Sequence, residues 1–185
     1  MGLMDQVKDD KIHSRNISVN VYPCDDNSII VRGELKDDRY CEHYTMTRKP
    51  GAPGNIHHMF ITLKTSVPDF EITDLEVEMP GIPRSGCSEA EKSLDWLIGT
   101  KISSGFTTKV KEKNGRGMGC SHLSSLLIGM APIVLQGFYT QLSREKRTKE
   151  EMTFLVTSFL KNTCLVWKED GEHYKETLEE LNQGD

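Results

Sequence analysis

The segment Gly119-Cys120-Ser121-His122-Leu123 holds the residue types most able to do chemistry in this chain of 185 residues. Cys120 follows a glycine-rich turn, Gly115-Arg116-Gly117-Met118-Gly119, and opens a long apolar-periodic stretch. A thiol in the first turn of a helix faces unpaired backbone N–H groups and the positive end of the macrodipole. Both favour the thiolate, the form that ligates metals and attacks electrophiles. His122 lies two residues on. It can share a ligand with Cys120, or accept its proton, only where the backbone is not yet helical, because residues two apart on a helix diverge. Cys87 sits in a similar place, after Arg84-Ser85-Gly86 and ahead of another helical pattern. Two thiolates and an imidazole suit zinc or iron, with one position left for a carboxylate, a second imidazole or water. His57 and His58 open a predicted strand, and His57 completes the candidate metal set of Cys87, Cys120, His122 and His57.

Other readings compete with this one. Cys120 with His122 or His57, and a carboxylate such as Asp69, is the parts list of a cysteine nucleophile. Cysteine is also among the most buried residue types, and the same thiols serve as core residues in a non-catalytic interaction module. Cys24 falls in a hairpin turn, Cys41 in a charged loop and Cys164 near the acidic tail, where a structural reading is stronger. The glycine-rich turn lacks the Lys-Ser/Thr of a P-loop and the βαβ frame of a dinucleotide fold.

These residues depend on their elements for position. Ile17–Tyr22 alternates apolar and polar, Cys24–Ser28 reads as a turn, and Ile29–Leu35 as the returning strand of a hairpin. Arg48–Gly54, with two prolines and two glycines, is a loop, and Ile56–Leu63 a third strand. Glu71–Met79 is a fourth, in which the step from Ile72 to Leu75 breaks the alternation and predicts a bulge. The period then changes. Ser88 caps a predicted helix that ends at Gly99. Phe106–Val110 reads as a short strand or extended link. From Cys120 to Leu142 one apolar stripe marks a long central helix containing Pro132. Glu150–Leu160 is a further amphipathic helix, and the acidic stretch from Glu169 onward is a surface helix or tail. Strands first and helices after is the α+β pattern: a sheet of about four antiparallel strands with helices packed on one face. We expect a flexible segment at 1–14, one domain over 15–165 and an acidic terminus at 166–185.

Acidic residues number 28 and basic residues 23, and the pI is near 5.7, which argues against a general nucleic-acid binder. The basic stretches Lys109–Arg116 and Arg144–Lys149 are not interleaved with aromatics. No stretch reads as a run of about 18 apolar residues, so no membrane span is expected. Five cysteines and no apolar leader fit reduced thiols in the cytoplasm.

The order of motifs resembles a bacterial family of domains of unknown function, the one numbered 2889. The resemblance covers roughly Ile17 to Tyr139. It rests on Ile29-Ile-Val-Arg-Gly-Glu-Leu-Lys-Asp-Asp, Arg48-Lys-Pro-Gly with His57 and Met59, and Cys87. It continues through Leu97-Ile-Gly-Thr-Lys-Ile, Gly105-Phe, Gly119-Cys-Ser-His-Leu and Gln136. It implies no activity. The chain departs in carrying Ser121 where the family pattern has threonine, and in a longer acidic C-terminus. Gly86-Cys87, a helix closing at Gly99-Thr-Lys, and a Cys-Ser-x-Leu opening a long helix are similar, more distantly, to U-type iron–sulfur scaffold proteins. That likeness implies cysteines holding a nascent cluster or zinc. The middle cysteine of the scaffolds is missing between Gly99 and Cys120, so His122 or His57 would substitute. Together these readings lead us to expect an accessory or scaffold-like protein with a protein partner and a Cys/His site, without turnover of its own.

Overall fold

The computed structural model describes residues 2–24 and 26–183. Its contacts divide the chain into two compact units, Met1–Val134 and Leu135–Asp185. The first unit is built on a four-stranded antiparallel sheet of order β1-β2-β5-β6, and the fold class is α+β. The strands are β1 (His13–Pro23), β2 (Ser28–Arg39), β5 (Gly54–Ser66) and β6 (Ile72–Gly81), with a two-residue pair, β3 (His43–Tyr44) and β4 (Pro50–Gly51), in the loop between β2 and β5. The expected turn at 24–28 is closed by the Cys24 amide donating to the Ser28 carbonyl; Asp25 lies outside the described residues. The bulge expected between Ile72 and Leu75 is present. Lys64 pairs with Asp74 and Thr65 with Ile72, so Thr73 is the extra residue.

Alternation decides which face is covered. Ile29, Val31 and Leu35 of β2, and Met59, Ile61 and Leu63 of β5, are buried and point to one side. Their even-numbered neighbours, including Arg32, Glu34, Phe60 and Lys64, form the partly exposed outer face. The covered face receives helix α2 (Ser121–Leu142), whose Leu123, Leu126, Leu127, Met130 and Val134 are fully buried at helical spacing. The helix passes directly over Gly33. A Cβ there would lie 2.6 Å from Met130 Sδ and 3.0 Å from Leu126 Cδ1. By length and composition α2 also meets the requirement for a membrane span, with a mean hydropathy of 1.4 over its most apolar window, contrary to the expectation that no stretch would. A third of that window, the stripe that packs on the sheet, is buried.

Two elements differ from expectation. Residues 106–110 belong to a helix, α1 (Phe106–Asn114), rather than to a strand or link. Gly105, at φ 87°, caps it, and Phe106, Val110 and Asn114 form one buried i, i+4, i+8 face. The helix expected from Ser88 begins at Ser85 and is a 3-10 helix, running to Leu97. Leu94 and Leu97, three apart, stack on one side as that helix type requires, and Gly99 leaves it at φ 77°. The second unit contains α3 (Lys149–Leu155), continued by a π-helical turn to Leu160, and α4 (Glu172–Gln183). Thr148 caps α3 in a reciprocal box with Glu151.

Candidate functional site

The antiparallel register sets Arg15, Asp37 and His57 side by side across β1, β2 and β5. All three lie on the covered face, because Asp37 continues the odd-numbered parity of Val31 and Leu35, and His57 that of Met59 and Ile61. Asp37 is only 1% exposed. A buried carboxylate requires charge compensation, and Arg15 supplies it in a two-pronged pair, Nε to Oδ1 and Nη2 to Oδ2, both at 2.7 Å. His57 Nδ1 is 3.0 Å from Asp37 Oδ2. A register shift falls between Asp37 and Asp38, and Asn55 fills it, donating from Nδ2 to the carbonyls of Asp37 and His57.

The fourth member comes from the first turn of α2. The His122 ring stacks on that of His57 with centroids 3.7 Å apart, and its Nε2 faces Asp37 Oδ2 at 3.7 Å, beyond hydrogen-bond reach. Its other nitrogen, Nδ1, is 3.6 Å from Cys120 Sγ. This contact exists because Cys120 precedes the helix: its carbonyl accepts the Ser124 amide, while Ser121 is the first helical residue. A pair two apart within the helix would diverge.

The charge state of the cluster follows from these contacts. The hydrogen bonds from Arg15 hold the Asp37 carboxyl below its ordinary value against the opposing effect of burial, and they raise Arg15 in turn. Burial, then the neighbouring His57 and Arg15, push His122 below the ordinary imidazole value, against the pull of Asp37. His122 is therefore a neutral imidazole near neutral pH, with a free lone pair on one nitrogen.

Among the described residues, Asp37, His57 and His122 each offer a ligand atom, and the three atoms lie within 4.8 Å of one another. Of the four residues singled out from sequence, the structure joins His57 and His122 in this group and sets Cys120 against the far nitrogen of His122. Cys87 lies outside the group, half-buried at the start of the 3-10 helix, where its amide donates to the Arg84 carbonyl. His58 faces the other side of the sheet and bonds Glu34 at 2.7 Å. Asp69 is on the surface, paired with Lys101. The carboxylate at the site is Asp37, which sequence reasoning missed together with Arg15. The available signal was parity, since an acidic residue occupied a core-facing position in a strand.

The fold and this site define an α+β protein with a buried carboxylate and two histidines at one end of its sheet. The family described as "protein of unknown function (DUF2889)" matches residues 13–136, about two thirds of the chain, and the chain belongs to that family. No curated protein and no solved structure matches the chain.

Proposed function

We propose that this protein is a metal-binding accessory protein whose ion is held by Asp37, His57 and His122. One observation supports the reading above the others. Two imidazole nitrogens from different elements, a strand and a helix, face the same buried carboxylate oxygen, at 3.0 and 3.7 Å. One carboxylate and two imidazoles are a donor set for a single zinc or ferrous ion, with further positions open to water or a substrate. The set contains no cysteine, so it suits a mononuclear ion better than a nascent iron–sulfur cluster, which is held by thiolates. Cys120 then acts on the other ring nitrogen, fixing the His122 ring as partners of ligating histidines do.

The test is calorimetric titration of the full chain, stripped with EDTA, with Zn²⁺. We expect one ion per chain, and affinity reduced at least tenfold in His57→Asn and in His122→Asn variants that retain the wild-type circular dichroism. Wild-type protein that binds no zinc, or binds it as weakly as both variants, would overturn the metal reading and favour an interaction module with core cysteines.

A further inference from the structure

Beside the Asp37–His57 row lies a cavity of about 440 Å³. Its walls come from the end of β2, the β3–β4 loop, the start of β5 and the segment that follows β6. It is an open groove: Tyr44 and Met46, on its β3–β4 wall, are 79% and 93% exposed. Arg39 and Arg84 line it, no acidic side chain does, and neither guanidinium has an ion-pair partner among the described residues. In a chain whose acidic residues outnumber its basic ones, such a concavity is set apart by charge. The remaining wall includes Ile56 and Ile82, an apolar surface beside the two cations.

From this geometry we infer that the cavity binds a small organic carboxylate with a hydrocarbon body. Guanidinium forks match a carboxylate in plane and in charge, which selects an anion. Ile56 and Ile82 select an apolar remainder, which inorganic anions lack. The ligand lies next to the candidate metal site, because Asn55 lines the cavity and also holds the carbonyls of Asp37 and His57.

The test uses the full chain in EDTA, so its outcome is independent of metal binding. Hexanoate, hexanol and inorganic phosphate are titrated separately into ¹⁵N-labelled protein and followed by amide chemical shifts. We expect hexanoate to bind at least tenfold more tightly than either comparison compound, with shifts centred on Arg39, His43 and Arg84. An Arg39→Gln/Arg84→Gln variant loses that binding at least tenfold, and Arg39→Lys/Arg84→Lys recovers part of it. Absence of hexanoate binding overturns the inference, as does phosphate binding equally well or shifts centred elsewhere. Should the glutamine variant not fold, the wild-type shift map and the phosphate comparison decide alone.

Discussion

Replacing Arg15 with methionine removes the guanidinium that holds both oxygens of Asp37, each at 2.7 Å. The Asp37 side chain is 2% exposed, so its charge would be left in the protein rather than returned to water. Breaking a fully buried pair by removing one partner costs about 3–5 kcal/mol. Arg15 is 38% exposed and lies on an edge strand, so water can enter where the guanidinium stood, which lowers the expected cost to about 2–3 kcal/mol. Asp37→Asn keeps the volume but sets an amide donor against the guanidinium, at about 2 kcal/mol. In the double variant neither a buried carboxylate nor a mismatched donor remains. Its loss should be about 2 kcal/mol, short of the sum of the singles by about 2–3 kcal/mol. Urea unfolding of the four proteins in EDTA at pH 7, followed by the fluorescence of the tryptophans, measures this cycle. Single-variant losses that add to within about 0.5 kcal/mol would refute the argument that the two groups compensate each other.

Further predictions concern acid, the thiols and the helix crossing. The folded-state value of Asp37 lies below its unfolded one, so its stabilisation is present above about pH 4 and is lost as the pH falls through the folded value. His122 is also depressed, so the unfolded chain binds its proton first, and stability declines as the pH drops below about 6.5. Urea titrations of metal-free protein between pH 7 and 3 should show both slopes, and His122→Asn should remove the upper one alone. Cys120→Ala should weaken Zn²⁺ binding by about tenfold, as loss of a partner to a ligating histidine does. Cys87→Ser should leave it unchanged, because Cys87 is outside the ligand-spaced group; equal losses in the two variants would restore Cys87 to the site. Gly33→Val should cost about 1–3 kcal/mol by overpacking against Met130 and Leu126, seen as a lower melting temperature. Met130→Ala should recover part of that loss.

Much of the framework was legible because it follows from short-range periodicity. Alternation in Ile17–Tyr22 and Glu71–Met79 marked the two outer strands, and the broken step between Ile72 and Leu75 located a bulge. The α2 stripe marked the helix that covers the sheet. Phe106–Val110 was misread because a β-branched pair, Thr107-Thr108, masked an i, i+4 face that only packing makes decisive. The helix read from the Ser88 cap to Gly99 is a 3-10 helix over Ser85–Leu97, a difference its spacing does not reveal because Leu94 and Leu97 fit either helix type.

The candidate site divides along the same line. Sequence alone determined that His57 opens a strand and that Cys120 and His122 stand at the mouth of a helix, because those positions depend on neighbouring residues only. It also singled out thiol and imidazole groups, of which the structure gathers the two imidazoles about a carboxylate. Tertiary structure decided which partners they meet. Arg15, Asp37 and His57 are separated by 22 and 20 positions along the chain, and become a row only through the register of three strands. Asp37 becomes buried only when α2 covers that face. A charged residue in a strand ordinarily faces water, so its type gives no sign of an interior role. Strand parity places Asp37 on the inward face, but its pairing with Arg15 and the convergence of two imidazoles on one of its oxygens come from long-range pairing that no local pattern contains.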